Sequence, residues 1–594
     1  MSVTTRRAWG RPGRPARPGG ETTAAGGRRA RSMSERAARI AGTASRFAPI
    51  SIVMMLVPVG VGVGRALSSI NQPFVSFGDV AVLESTIRDT LGGHQLLGPY
   101  SHFGWFHPGP AYFYVMAPVY WIFGESARAM FLGAFLINAV CALAIIVVIR
   151  WRAGEWAARW GALVVGGLLF FSEASSLSLY NPWNPALLAL PFLLVMILAA
   201  AAATGSTLSL LWAGLVGSFV IQSELGTAPA VLAVLVVGAA LWGWAVWRKR
   251  AGSAATAPAL PPWTRPSRHL VALAGSALFV VLVWVPPLIQ QTTRTPGNAG
   301  RIVSFFEHPP TAQEAGGRHT RGQAVRGVAE YAATLPLKAD PFPCCEPNQF
   351  AGPNSAYTGR LVILGGGVLV GVGLALIGWR RRHQLVMALG AVSVVASGAA
   401  VVSATQVVGP LYEHLLWWTT AVLVPAWIGA GLLALDLVAK RKGGPLSRPV
   451  GRRVLSGALA VGCAVPCLAL GWSLLRDPPI GYGDDPGRQV AAQLVERPVR
   501  AMHVRDLRVQ EADPDQFGLA ASVVVELQKA GVATHLEPPA STSYGPQEQV
   551  RGPDQALLVI SGPHDPSPAV STAGATHLGT VEGMQLWLRP LPSA

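Results

Sequence analysis

Long apolar runs follow one another through most of the chain and are separated by short polar or basic segments. A helix rises about 1.5 Å per residue, so about 20 apolar residues cross the roughly 30 Å of hydrocarbon in a bilayer. We predict a transmembrane helix for each run close to that length: 46–67, 127–149, 156–174, 185–204, 206–222, 228–247, 269–288, 359–379, 385–404, 415–437 and 454–474. The pattern therefore predicts an α-helical polytopic membrane protein with about 11 transmembrane helices.

A further apolar run, 111–124, is only about 14 residues long and is rich in Tyr, Trp and Pro. Such a run is too short to cross a bilayer, and aromatic side chains favour the boundary between lipid and water. We predict that it forms an interfacial helix within a first outer loop, 68–126. Counting it as a span would also move every later basic loop to the opposite side of the membrane.

The regions on either side of the apolar part differ from it in composition. Residues 1–45 are rich in Arg, Gly, Pro and Ala, which predicts a disordered basic tail. Residues 46–475 form the predicted membrane domain, which includes a second, large outer loop, 289–358. Residues 476–594 are more polar, and we predict a small extracytoplasmic α/β domain with a helix near 515–530 and strands at 501–509, 533–537, 556–561 and 576–589.

Composition and charge support this picture. The chain is 51% hydrophobic and 13% charged, as is typical of membrane proteins, and its formal net charge is +17. Basic residues concentrate in the tail and in alternate loops, while the opposing short loops lack them: the basic segments are 1–45, 150–159, 248–268, 380–382 and 440–453. By the positive-inside rule the N-terminus is cytoplasmic and the C-terminus extracytoplasmic. The charge then faces anionic membrane lipids and does not indicate nucleic-acid binding.

Asp79 is the first candidate for catalysis, because it directly follows Gly78 just beyond the first predicted span. A carboxylate at the water interface can take a proton from a hydroxyl group, or hold a metal ion that activates it. An Asp before an apolar helix is also a common N-cap, and the two roles are compatible. Glu84 lies about 140° around an ideal helix from Asp79 and is more simply an i,i+4 partner of Arg88, although we keep it as a candidate substrate contact.

Three histidines, His94, His102 and His107, lie in the loop that follows, together with Tyr100 and Trp105. Their spacing matches no compact metal-binding motif, so we predict no metal site from them. Hydrogen bonding of His102 and His107 to phosphate or sugar hydroxyl groups is one interpretation. Anchoring of the loop at the membrane surface by its aromatic side chains is the other.

Polar and aromatic side chains also occur near the ends of later predicted helices. Each could be a helix cap or part of the interfacial aromatic belt. All are predicted on the side of the membrane that carries Asp79, where ionisable groups at membrane depth are usually functional. We therefore expect further substrate-binding side chains among Tyr112, Asn181, Trp183, Gln222, Glu224, Arg294 and Glu413.

The order of these features resembles that of the GT-C superfamily of integral-membrane glycosyltransferases. This superfamily includes protein O-mannosyltransferases, lipid A aminoarabinose transferases and mycobacterial arabinofuranosyltransferases. The resemblance rests on a first span, the acidic residue in Phe77-Gly78-Asp79, the segment His107-Pro-Gly-Pro-Ala-Tyr-Phe-Tyr114 and the alternating spans after it. It covers residues 46–300 best.

The resemblance implies a GT-C fold and transfer of a hexose or pentose from a polyprenyl-phosphate donor. The acceptor would be a glycan, lipid or protein of the cell envelope on the outer face, and the anomeric carbon would be inverted. Asp79 would be the catalytic base, and Arg294, His102 or His107 would neutralise the phosphate. A divalent metal ion is a possible cofactor, but many members carry an adjacent Asp-Glu pair at this point, whereas Val80 follows Asp79 here.

Two other function classes fit the pattern of spans. A transporter or lipid flippase would also carry polar groups at membrane depth, but the sequence shows no internal repeat, no nucleotide-binding loop and few charges within the spans. A non-catalytic assembly or sensor protein would bind an envelope partner through residues 476–594, and Asp79 would then be dispensable. The sequence favours the glycosyltransferase interpretation.

Overall fold

A computed structural model describes residues 49–173, 179–250, 266–311, 317–335, 357–441, 448–476, 486–511, 517–536, 554–562, 574–581 and 583–591. The chain divides into two units, Met1–Pro49 and Ile50–Ala594, and the elements described below belong to the second. The tail predicted as disordered, 1–45, lies outside the described residues, as does part of the loop 289–358.

Seventeen α-helices form in the described part of the chain. They are α1 Ile50–Ser68, α2 Asp79–Leu91, α3 Ala111–Ile122, α4 Ala127–Ala153, α5 Glu155–Glu173, α6 Ala189–Ala202, α7 Thr207–Ser223, α8 Ala228–Arg250, α9 Pro266–Thr293, α10 Asn298–Glu307, α11 Arg321–Ala332, α12 Thr358–Arg380, α13 Gln384–Gln406, α14 Val424–Lys440, α15 Pro449–Arg476, α16 Pro486–Ala501 and α17 Phe517–Lys529.

Every run predicted to span the membrane forms a helix. Among the described helices, eight are long and apolar enough to cross a bilayer: Ile50–Ser68, Ala127–Ala153, Leu225–Arg248, Leu273–Thr293, Thr358–Arg380, Gln384–Gln406, Trp417–Lys440 and Pro449–Arg476. The other three predicted spans form α5, which begins with Glu155 and carries Arg159, and the shorter helices α6 and α7. The chain is therefore a multi-pass α-helical membrane protein, as predicted.

Helix α3 is the run predicted to lie at the interface. Its 12 residues extend about 18 Å, well short of the hydrocarbon thickness. Tyr112, Phe113 and Tyr120 are buried on one side of it and pack with Val80 and Leu83 of α2. Its length therefore agrees with a helix that does not cross the membrane.

Helix α6 lies at the centre of the bundle, in contact with α4, α7, α8 and α13. Its sequence is apolar on every side, and Phe192, Val195 and Met196 are fully buried. A helix that is hydrophobic all round is typical of a buried core. The run of Ala199 to Ala202 presents only small side chains, which lets neighbouring helices approach closely.

A buried ionic network joins the helix ends at the predicted cytoplasmic side. Glu155, the first residue of α5, accepts hydrogen bonds from the Ser51 amide at 2.9 Å and from Nε of Arg150 at 2.8 Å and Arg159 at 3.3 Å. Arg159 is 1% exposed and also donates to the backbone oxygen and hydroxyl of Ser456, each at 2.8 Å. The network therefore ties together α1, α4, α5 and α15.

The C-terminal region folds into the predicted small α/β domain. Its strands are β1 Asp506–Glu511, β2 Ala533–Leu536, β3 Ala556–Ser561, β4 Thr576–Val581 and β5 Met584–Pro590. They form one sheet in the order β2-β1-β3-β5-β4, in which β1 is parallel to β2 and β3 while β5 is antiparallel to β3 and β4. The run 576–589, predicted as one strand, is a hairpin, and 501–505 precedes β1 instead of belonging to it.

The face of the sheet that carries Leu507, Val509 and Leu558 packs on α17 and α16. The same apolar cluster includes Ala81 and Val82 of α2. The C-terminal domain therefore packs directly on the helix that begins at Asp79.

Candidate functional site

Helix α2 begins at Asp79, and Gly78 occupies the N-cap position with φ 55°. Glycine adopts this left-handed conformation without steric cost, which explains its place before Asp79. The Asp79 side chain is half-buried, and its Oδ1 accepts a hydrogen bond from the Tyr100 hydroxyl. Asp79 thus lies in the first turn and not at the cap itself, and its carboxylate is favoured there by the helix dipole.

The loop from Gly98 to His107 folds back on itself. The Gly98 amide donates to the His107 carbonyl at 3.1 Å, and the His107 amide donates to the Pro99 carbonyl at 2.8 Å. A Cβ atom at Gly98 would lie 2.6 to 2.7 Å from three backbone oxygens, including that of Gln222, so this close approach requires glycine. The fold of the loop presents His107 toward the end of α7.

His107 forms a buried pair with Glu224, the residue that ends α7. Its Nε2 lies 3.3 Å from Glu224 Oε2, and its Nδ1 accepts a hydrogen bond from the Leu225 amide at 3.0 Å. Because Nδ1 accepts, the ring proton of a neutral imidazole sits on Nε2 and points at the carboxylate. His107 therefore has neither ring nitrogen free for a ligand.

Glu224 is 7% exposed and is held as a carboxylate. Burial alone would raise its pKa, but the interaction with His107, the hydrogen bond from the Gly226 amide and the proximity of His414 hold the pKa below its usual value. A buried carboxylate in this state accepts strong hydrogen bonds from neighbouring donors.

His414 lies against this pair within an aromatic surround. Its ring centroid is 4.4 Å from that of Trp183 and 5.5 Å from that of Tyr412. Its Nδ1 is buried and has no hydrogen-bond partner among the described residues. Burial lowers the pKa of His414 to about 4, with Glu224 opposing the shift and His102 adding to it, so the imidazole is neutral at neutral pH.

His102 lies next to Tyr100. It is exposed, its ring lies 5.1 Å from that of Tyr100, and its proximity contributes to lowering the pKa of His414. His102 therefore lies beside Tyr100, which contacts Asp79, and near the buried His414. We call the set Asp79, Tyr100, His102, His107, Trp183, Glu224 and His414 the polar site.

Other predicted contacts serve the structure around the polar site. The Tyr112 hydroxyl donates to the Pro182 carbonyl, and Asn181 Oδ1 accepts from the Trp183 amide at 3.0 Å. Gln222 is fully buried, accepts from the Ala111 amide at 3.2 Å and donates to the Val283 carbonyl at 3.0 Å. These bonds hold the start of α3, the segment before α6, the end of α7 and the second half of α9.

Glu413 and Arg294 lie outside this set. Glu413 accepts a hydrogen bond from the Tyr331 hydroxyl at 3.3 Å, and burial raises the pKa of its carboxyl group. Arg294 follows the last residue of α9 and is exposed. No described contact brings either side chain to Asp79.

The expectation that Glu84 pairs with Arg88 is wrong. Arg88 Nε lies 2.8 Å from Glu125, whereas Glu84 is fully buried and accepts from Tyr120 at 2.9 Å and Lys529 at 2.5 Å. The helix places Glu84 toward the protein interior, where an ammonium group from the C-terminal domain reaches it. Glu84 therefore faces away from solvent.

His414 was not among the residues predicted to bind substrate, although it directly follows Glu413, which was. The available signal was its position between aromatic residues, Tyr412 and Trp417, at the start of a span. Among the described residues, no three His, Cys, Asp or Glu side chains are grouped so that they could hold a metal ion.

No family model matches this chain, and no curated protein matches it. Among solved structures, the chain is similar to crystal structures of ArnT from Cupriavidus metallidurans, one in the apo state and one bound to undecaprenyl phosphate. Each comparison covers 90% of this chain and 97% of that protein, with 14% sequence identity and a TM-score of 0.49.

Proposed function

We propose that the chain is a membrane glycosyltransferase that moves a sugar from a polyprenyl-phosphate donor to a hydroxyl group of a cell-envelope acceptor. The observation that carries the proposal is the polar site itself. A half-buried carboxylate, Asp79, lies at the end of a group of imidazoles and a buried carboxylate, next to helices whose other surfaces are apolar. Such a site suits one lipid reactant and one polar reactant.

Asp79 is the proposed base. The acceptor oxygen forms a bond to the anomeric carbon while the bond from that carbon to the donor phosphate breaks, so the configuration inverts. The proton of the acceptor hydroxyl passes to the Asp79 carboxylate, and polyprenyl phosphate leaves. Tyr100 donates a hydrogen bond to Asp79 Oδ1 and so leaves the second oxygen for the acceptor.

The buried half of the polar site suits sugar hydroxyl groups better than phosphate. Glu224 is anionic and would repel a phosphate at close range, but it accepts hydrogen bonds from hydroxyl groups. His414 offers a buried nitrogen without a described partner, and Trp183 offers an aromatic face. We therefore assign the sugar to Glu224, His414 and Trp183.

We assign the donor phosphate to exposed basic side chains. His102 is exposed beside Tyr100, and Arg294 is exposed after α9. His107 does not fit the role that the resemblance suggested, because its Nε2 is directed to Glu224 and its Nδ1 to a backbone amide. His102 and Arg294 remain the proposed phosphate contacts.

The proposed orientation places the polar site and the C-terminal domain outside the cytoplasm. It follows from the alternation of the basic loops along the sequence, one of which, 150–159, carries Arg150, Glu155 and Arg159 of the ionic network. A single cysteine at the exposed Arg500 of α16 should react with an impermeant maleimide in intact cells. Labelling only after the cells are opened would reverse the orientation.

The function is tested with purified protein in lipid nanodiscs and a panel of polyprenyl-phosphate sugars. Transfer releases the free polyprenyl phosphate, which is separated by chromatography and quantified by mass spectrometry. Release with one donor class, dependent on an added envelope fraction as acceptor, supports the proposal. Movement of labelled lipid between leaflets of proteoliposomes without carrier release would support a flippase instead.

A further inference from the structure

A second ionic contact lies between the C-terminal domain and helix α2. Lys529, the last residue of α17, places its Nζ 2.5 Å from Glu84 Oε1 and 2.8 Å from Glu526 Oε1. The Glu84 side chain is fully buried, and it also accepts hydrogen bonds from the hydroxyl groups of Tyr120 and Ser76. Glu84 is thus the point at which α2, α3 and α17 meet.

A buried carboxylate needs a counter-charge, because the cost of removing it from water is large. Burial would lower the pKa of Lys529, but Glu84 and Glu526 hold it above its usual value, so the ammonium group is charged. Arg88, the cation nearest to Glu84 along the sequence, is turned toward Glu125. The charge that compensates Glu84 therefore comes from the C-terminal domain.

The same helix α17 also holds the backbone that leads into Asp79. The Gly78 amide donates to the Gly518 carbonyl at 3.2 Å, and the Ser522 hydroxyl donates to the Ser76 carbonyl at 2.7 Å. The Phe77 ring lies between Gly518 and the guanidinium group of Arg488, which is 4.1 Å from the ring centroid.

Ser85, which directly follows Glu84 in α2, donates to Gln528 at 2.8 Å. Contacts from α17 are thus made both before Asp79, at 76–78, and after it, at Glu84 and Ser85. Helix α2 is therefore held on both sides of Asp79. It cannot slide along its axis or rotate about it without breaking the contacts at 76–78 or those at Glu84 and Ser85.

We infer that Lys529 is a positioning residue for Asp79: its ion pair with Glu84 fixes helix α2 against the C-terminal domain and so sets the place of the Asp79 carboxylate. This inference rests on the proposed function. Lys529 does not touch the reacting atoms and acts through Glu84. The C-terminal domain is then a part of the catalytic unit, since a displacement of about 1 Å at a reacting group can lower a rate about a hundredfold.

The experiment compares Lys529→Met with a matched control, Arg500→Met. Arg500 also forms an ion pair in the C-terminal domain, with Glu496 at 2.6 Å, but it is exposed on α16. Hydrogen exchange of the amides in 79–91 is measured for both proteins by mass spectrometry. We expect faster exchange in Lys529→Met and wild-type exchange in Arg500→Met.

Kinetics then separate positioning from loss of folded protein. We expect kcat for Lys529→Met to fall tenfold to a hundredfold with little change in donor KM, and the acidic limb of the pH–rate profile to shift, since the base is displaced. If the variant only had a smaller folded fraction, its rate would fall by the same factor at every pH, and the pH–rate profile would not shift. The double variant Glu84→Gln/Lys529→Met should regain part of kcat, because it no longer buries an unpaired charge.

Unchanged exchange in 79–91 for Lys529→Met would overturn the inference. So would faster exchange with unaltered kcat, or a double variant no better than Lys529→Met. If wild-type protein releases no carrier from any donor, the proposed function fails, and the exchange data alone then decide whether Lys529 holds α2.

Discussion

His107 Nε2 lies 3.3 Å from Glu224 Oε2, and this buried pair joins the loop 98–107 to the end of helix α7. The Leu225 amide fixes which ring nitrogen carries the proton, so the donor faces the carboxylate. Glu224 keeps acceptor capacity beyond that one bond, since a carboxylate has about four lone-pair sites. Glu224 therefore presents a rigidly held carboxylate acceptor next to His414.

Replacing Glu224 by Gln should weaken donor binding. The amide oxygen can still accept from His107, but the amide nitrogen then faces the Gly226 N–H and cannot accept from it, so the melting temperature should fall slightly. Hydrogen bonds to a charged group are worth about 1.5–3 kcal/mol, which predicts a donor KM raised about tenfold to a hundredfold. Glu307→Gln, at the exposed end of α10, is the control. A wild-type KM for Glu224→Gln would remove Glu224 from the sugar contacts.

His414 should make stability depend on pH. The pKa of His414 is about 4 in the folded protein, compared with the ordinary value of 6.5 for a free histidine side chain. As pH falls from about 6.5 to about 4, the unfolded chain binds a proton that the folded protein does not, and stability is lost. Above about pH 6.5 the contribution of His414 to the stability of the folded protein is fully present. The difference between the two pKa values corresponds to at most about 3 kcal/mol in the free energy of unfolding.

The measurement is the melting temperature of wild type and His414→Gln in detergent, near pH 7 and near pH 5. We expect a smaller drop between the two values for the variant, which has no imidazole to titrate at this place. Equal drops in both proteins would show that other groups cause the acid sensitivity.

The transmembrane helices could be predicted because each one depends only on the length and hydrophobicity of its own segment of sequence. Lipid leaves backbone polar groups no partner except the helix itself, so an apolar run of sufficient length becomes a helix. Run 454–474, for example, lies within α15. The short run 111–124 formed the short helix α3 for the same reason.

Ion pairs and side-chain contacts between residues that are distant in the sequence could not be predicted in this way. Glu84 and Arg88 are correctly spaced for an i,i+4 pair, yet each found a partner elsewhere, Lys529 and Glu125. Helix periodicity states which side chains share a face, but burial and distant cations decide which pair forms. His414 was missed for a similar reason, since its burial becomes visible only once Trp183 is beside it.

Breaking the ionic network at Glu155 should destabilise the bundle. Glu155→Gln would leave the buried Arg159 without its counter-charge, and loss of one partner of a buried ion pair costs about 3–5 kcal/mol. Asp436→Asn is the matched control, because its pair with Lys440 is exposed and contributes about 1 kcal/mol or less. The readout is the fraction of monodisperse protein after heating. Equal heat resistance of the two variants would show that the network does not bear on stability.

Asp79→Asn should nearly abolish transfer while the protein stays folded. Asn keeps the size of the side chain and still accepts a hydrogen bond from Tyr100, but it cannot take the proton of the acceptor. Loss of a positioned base typically lowers a rate about a hundredfold to ten-thousandfold. Asp89→Asn, at the other end of α2, should keep normal turnover. Carrier release by Asp79→Asn near the wild-type rate, at equal expression, would exclude the base role and leave Asp79 as a charge that stabilises the first turn of α2.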